Sequence, residues 1–174
     1  MAAMPTAALS APVTGLSPAQ QRLVARMLSP WKFRAFTLAK LPSLALWRVR
    51  VAALDAEACT VTMPYGYRTQ NPFRSVYFAA QSGAAELSTG TLALLHLEGQ
   101  PRCSMLVTQF DSKYYKKAAG PMRFVCDDGA AVREAVAGTL ADGEPRTIVA
   151  HARAYLDGDV LASEFWVTWS FRRK

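Results

Sequence analysis

The stretch NPFRSVYFAAQSGAAELSTGTLALLHLEG, residues 71–99, holds one formal charge between Arg74 and Glu98, the carboxylate of Glu86. From Ser75 to Leu97 it approaches membrane-spanning length. Gln81, Ser82, Glu86, Ser88, Thr89, Thr91 and His96 interrupt it too often for a lipid-exposed helix. A long buried helix over residues 75–97 is therefore expected. One turn from Glu86 the residues are small, Ser82, Gly83, Thr89 and Gly90, with Ala79 two turns back. Small residues on such a stripe let a backbone or a ligand come close. Glu86 should thus project from a floor of small side chains into a place that is buried but not filled.

A buried, unpaired carboxylate is costly, and its pKa rises into the range useful for proton transfer. The alternative is a structural carboxylate that hydrogen-bonds to Ser82 or Thr89, or that pairs with an arginine such as Arg123.

Outward from this helix, LSPAQQRLVARML has Ser17 as N-cap and Pro18 at the first helical position, and SPWKFRAFTLAKLP repeats that start at Ser29 and Pro30. Two short helices within 17–41 are followed by a first hairpin over 44–64, where Arg48 and Arg50 alternate with Trp47, Val49 and Val51. The remaining strands fall within 102–171, with a short helix at 129–141 closed by glycine. In the last strand Leu161, Phe165, Val167, Trp169 and Phe171 share one face, with Ser163 the exception. The order is an α+β pattern, one long helix wrapped by an antiparallel sheet.

A chain of 174 residues, about half of them apolar, can bury one core. One domain over 17–174 is expected, with residues 1–16 as a mobile tail. Three widely spaced cysteines, Cys59, Cys103 and Cys126, suggest reduced thiols and a cytoplasmic setting, with neither a disulfide framework nor a metal site. The formal charge of +7 is spread over short separated clusters, which argues against nucleic acid. No membrane segment and no cofactor is expected.

Asn71, then Tyr77 with Phe78 and Ala79, then Glu86 nine residues after Tyr77, resembles the active-site segment of hotdog-fold acyl-CoA thioesterases. In the phenylacetyl-CoA thioesterase-like branch that segment reads Asn, a loop, His-Gly-Gly and an acidic residue at the same offsets. The stretch FDSKYYKKAAGPMRF is similar to that family's strand pair, and the helix looks closest to divergent relatives reading YFAAQ in place of His-Gly-Gly. Here Tyr77-Phe78-Ala79 replaces the motif, so the glycines that admit a thioester to the helix start are missing.

The resemblance implies a hotdog fold, a homo-oligomer with sites at the subunit interface, and hydrolysis of acyl-CoA or a related thioester. Backbone N–H groups near Phe78 and Ala79 would stabilise the charge on the thioester oxygen. Glu86 would act as general base or nucleophile. Asn71 would orient water or the carboxylate, Tyr77 would stand in the histidine position, and Ser104 is the nearest hydroxyl to position water. Lys113, Lys116 and Lys117 are candidates for the coenzyme A phosphates or, equally, a solvated strand end. His96 reads as a helix C-terminal histidine and His151 as a residue on a strand's polar face, so neither partners Glu86. A non-catalytic module that binds an acyl or aromatic ligand is the alternative.

Overall fold

The structure, a computed structural model, describes residues 15–174. The tail expected over residues 1–16 falls outside the described residues except for Gly15 and Leu16, and Leu16 is buried. Helix α1 (Pro18–Leu28) starts on a reciprocal capping box: the Ser17 hydroxyl accepts the Gln20 N–H at 3.3 Å, and Gln20 Oε1 accepts the Ser17 N–H at 2.9 Å. Helix α2 (Pro30–Lys40) begins on its proline, but the Ser29 side chain makes no capping bond.

The chain then departs from the expected hairpin. Residues Pro42–Leu46 form a third short helix, α3, because Pro42 presets the first helical turn and Leu44 and Ala45 are buried by it. Arg48, at φ 57°, turns the chain into strand β1 (Arg50–Leu54), which pairs with β2 (Cys59–Met63).

The long helix α4 spans Phe78–Leu97. It starts three residues later than its composition suggests, because the residues before it are held in extended backbone. The Val76 N–H donates to the Ala118 carbonyl at 2.7 Å, and the Tyr77 N–H to the Thr69 carbonyl at 2.6 Å. Strands β3 (Cys103–Tyr114) and β4 (Met122–Cys126), helix α5 (Gly129–Asp142), and strands β5 (Arg146–Leu156) and β6 (Val160–Arg173) complete the chain.

All six strands form one antiparallel sheet in the order β1-β2-β4-β5-β6-β3. Strands β3 and β4, consecutive in the chain and read as a pair, are separated in the sheet by β5 and β6. Helix α4 packs on the inner face, against β2, β4, β5 and β6, which is the hotdog arrangement. Its close approach rests on small side chains on both sides: Ala80, Ala84 and Ala85 on the helix, and Ala150, Ala152 and Ala154 on β5, all buried.

Between β5 and β6 the pairing shifts: Ala154 and Tyr155 on β5 oppose Ser163 and Leu161, which leaves Ala162 on β6 as the extra residue. This bulge takes Leu161 off the inner face on which the alternation placed it, while Ser163 stays on that face and is fully buried. No helix among the described residues is long and apolar enough to cross a membrane.

Candidate active site

Glu86 lies in the middle of α4 and faces a cleft of about 160 Å³ whose other walls include Met27, Phe36, Leu41, Met105 and Trp169. Its carboxylate has no hydrogen-bond or ion-pair partner among the described residues. Each group that sequence reading offered as a structural partner is engaged elsewhere. The Ser82 hydroxyl donates to the Phe78 carbonyl at 3.0 Å, and the Thr89 hydroxyl donates to the Glu86 backbone carbonyl at 3.1 Å. Arg123 pairs with Asp159. Burial alone pushes the Glu86 pKa above the ordinary carboxylate value.

The floor of small residues is present, and it is covered by tryptophans. A Cβ at Gly83 would stand 2.9 Å from the Trp47 ring, and one at Gly90 would stand 3.0 Å from the Trp169 ring and 3.4 Å from Glu86 Oε1. The expectation that this stripe admits a ligand or a second backbone is corrected at these two glycines, whose missing side chains make room for indole rings. Trp169 is fixed there by its Nε1–H, which donates to the Thr89 hydroxyl at 3.0 Å.

At the start of α4, Tyr77 caps without a side-chain bond. The Ala80 and Gln81 N–H groups donate to the Tyr77 carbonyl at 3.0 and 3.1 Å. The N–H groups of Phe78 and Ala79 are left with no acceptor among the described residues, as the first donors of a helix are. The Tyr77 and Phe78 rings are exposed and meet edge to face, 5.1 Å between centroids. Glu86 is eight positions after Phe78, a backbone rise of about 12 Å along the helix.

Asn71 serves its own loop. Its Oδ1 accepts from the Phe73 and Ser75 N–H groups at 3.0 and 3.2 Å and from the Ser75 hydroxyl at 3.1 Å, and it does not line the Glu86 cleft. Ser104 is likewise turned away: Met105 lines the cleft, so its neighbour faces the other side of β3, where the Ser104 hydroxyl donates to the Arg172 carbonyl at 3.2 Å.

The lysines divide. Lys113 sits with its Nζ 5.3 Å from the Tyr115 ring centroid, opposite Glu164 in the strand register. Lys116 and Lys117 are exposed and immediately precede Ala118, whose carbonyl holds Val76 just before α4. The structure thus brings these two, and not Lys113, to the loops around the helix start.

His96 is buried and its Nε2 donates to the Ala56 carbonyl at 2.9 Å, tying α4 to the β1–β2 turn, with burial pushing its pKa down. His151 stacks on Trp166, ring centroids 5.0 Å apart, and its Nε2 lies 2.9 Å from Glu164 Oε1. Neither lines the Glu86 cleft.

Sequence reasoning passed over Gln81. It is buried, its Nε2 donates to the Val76 carbonyl at 3.1 Å, and its Oε1 accepts the Ser163 hydroxyl at 2.9 Å. This side chain links the loop that leads into α4 to the sheet beneath it. The only sequence signal was a pair of polar exceptions, Gln81 in an apolar helix and Ser163 on an apolar strand face.

A family model described as a domain of unknown function, DUF4442, matches residues 29–163. The chain belongs to the DUF4442 family. Comparison of its sequence with curated proteins gives no significant match. Among solved structures, the DUF4442 chain is similar to a protein of unknown function from Chlorobaculum tepidum at TM-score 0.71 and 18% identity, covering 85% of this chain and 99% of that one. It is also similar to a protein of Pseudomonas aeruginosa named a probable thioesterase, at TM-score 0.67 and 16% identity, covering 86% and 99%. A third similar structure is a thioesterase from Haemophilus influenzae, at TM-score 0.61 and 10% identity, covering 83% and 91%. These likenesses establish the hotdog fold of the DUF4442 chain.

Proposed function

We propose that this protein hydrolyses acyl thioesters, acyl-CoA among them, at a site completed by a second copy of the chain. The observation that carries this reading is Glu86, a half-buried carboxylate without a partner, facing a cleft, its pKa raised by burial. A carboxylate held in a structural ion pair has a cationic partner, and Glu86 has none among the described residues. The relatives named as thioesterases and the spacing of Asn71, Tyr77 and Glu86 shared with the phenylacetyl-CoA thioesterase-like branch support the same chemistry.

In this reading Glu86 takes a proton from water as the water oxygen attacks the thioester carbonyl carbon. The Phe78 and Ala79 N–H groups of the partner's α4 receive the negative charge that develops on the carbonyl oxygen. The tetrahedral intermediate collapses with cleavage of the C–S bond, and the proton held by Glu86 passes to the departing sulfur. The apolar walls at Met27, Phe36 and Leu41 suit a hydrophobic acyl group. Lys116 and Lys117, exposed and next to the Ala118 carbonyl that holds Val76, are candidates to meet phosphates as point charges.

A second copy suits this reading, because along a single α4 the backbone at Phe78 and at Glu86 is about 12 Å apart. Strand β3 offers the docking edge. It is a twelve-residue edge strand, and such an edge presents unpaired backbone groups to another strand.

The second reading, a non-catalytic acyl-binding module, draws on Tyr77 and Phe78, whose rings crowd a helix start that glycines would leave open. A hydrolysis screen over short, long and aromatic acyl-CoA and acyl-pantetheine esters separates the two. Turnover that disappears in Glu86→Gln supports the hydrolase; tight binding without turnover supports the module.

A further inference from the structure

We infer that the outer face of the sheet, at its β1 end, carries a binding site for the phosphates of a nucleotide. A groove of about 520 Å³ lies there between β1, β2, β4 and the β5–β6 turn, a volume typical of small-molecule sites. Its floor is a single cross-strand row. Arg50 opposes Thr62, Thr62 opposes Arg123, and Arg123 opposes Tyr155, so the four side chains stand side by side on the face away from α4.

Arg48 adds a third guanidinium to the same groove. It does so from a left-handed backbone, φ 57°, which residues other than glycine seldom adopt. Neither Arg48 nor Arg50 has an ion-pair partner among the described residues. Arg123 is held in place differently. It pairs with Asp159 from the β5–β6 turn and lies over the Tyr155 ring, 4.9 Å from its centroid. The acidic groups of the groove, Asp157 and Asp159, both belong to that turn, so the unneutralised positive charge gathers at the β1 end.

The groove therefore has an anion-seeking half, Arg48 and Arg50, beside an aromatic and apolar half, Tyr155 and Leu156. Guanidinium forks match phosphate oxygens two at a time, and an apolar wall beside them suits a flat ring. A bare phosphate ion would use only one half. A nucleotide carrying two or more phosphates uses both.

Two sources of that ligand are compatible with the position of the groove: the nucleotide end of acyl-CoA, or a free nucleotide. The first rests on the hydrolase reading above. Pro121 in the groove wall is three residues from Ala118, whose carbonyl binds Val76 ahead of α4, so at most about 10 Å of extended chain separates the groove from the loop at the helix start.

The test is titration calorimetry of ADP and of coenzyme A into the full chain and into the Arg48→Ala/Arg50→Ala variant. Both arginines are exposed, and circular dichroism checks that the variant stays folded. Both ligands should bind the parent protein and bind the variant at least about tenfold more weakly. If the source is the substrate, the variant's KM for acyl-CoA rises about tenfold relative to its KM for acyl-pantetheine, which lacks the nucleotide. If the source is a free nucleotide, ADP binding weakens while the two KM values keep their ratio. ADP and coenzyme A that bind parent and variant equally, or bind neither at about millimolar concentration, overturn the site. Absence of turnover on every thioester would overturn the hydrolase reading instead, and the ADP titration would still decide the groove.

Discussion

Gln81 on α4 and Ser163 on β6 hydrogen-bond at 2.9 Å in the buried layer between helix and sheet. Because Gln81 also holds the Val76 carbonyl, replacing it by leucine strands two buried polar groups at once. Each unsatisfied group costs about 1–3 kcal/mol. Urea denaturation should show Gln81→Leu losing stability in that range or above. Ser163→Val added to it should cost less than the sum of the two single changes, since the second removes a stranded hydroxyl. Strict additivity would mean the bond contributes nothing.

Glu86→Gln keeps the side-chain shape and removes the charge. Steady-state kinetics should show kcat falling about 10²–10⁴-fold, the worth of a general base. Since no cation pairs with Glu86, the melting temperature should not fall. A large drop in melting temperature with unchanged turnover per folded molecule would return Glu86 to a structural role.

The pH dependence follows from the direction of the same shift. Burial raises the Glu86 pKa above its ordinary value of 4.5, so between that value and the raised one the folded chain holds a proton that the unfolded chain releases. Stability from this group is therefore full at the acid side of the window and is lost as pH rises through it. Activity moves the opposite way, because the base must be ionised: kcat/KM should decline on the acid limb with a midpoint above 4.5. Thermal melts of wild type and Glu86→Gln across the window, beside the pH–rate profile, check both signs.

How much of this was legible in the sequence varies with the range of the contact. The long helix and its lone carboxylate could be read because an uncharged run of that length admits few other structures. The space beside Glu86 was legible in the small residues around it, but its occupants were not, since Trp47 and Trp169 reach Gly83 and Gly90 from elsewhere in the chain. Helix α3 was missed because the Trp47, Val49, Val51 alternation overlaps a proline-started helical turn. The Gln81–Ser163 bond joins residues 82 apart, and the arginine row draws on four strands. Both follow only from the sheet order.

The thiols should separate cleanly. Cys59 and Cys126 oppose each other across β2 and β4, both buried, both free. Burial pushes the Cys59 thiol strongly upward and that of Cys126 up to about 12. Neither is a competent thiolate at neutral pH. Labelling with an aromatic disulfide reagent should modify one thiol per folded chain, Cys103, and all three only in denaturant. Rapid modification of Cys59 or Cys126 in the native protein would contradict their burial.

The offset of eight positions from Phe78 to Glu86 has a genetic consequence. If each site takes its donors from one chain and its carboxylate from the other, two different inactive variants can repair one another. Glu86→Gln retains intact donors, and Phe78→Pro, which removes an N–H at a position where proline is tolerated, retains an intact carboxylate. Mixed by co-expression, they should form hybrid dimers in which one of the two sites is whole. With random pairing about one site in four is then restored. Two damaged copies would thus regain an activity that neither has alone, whereas a site confined to one chain would stay silent in any mixture.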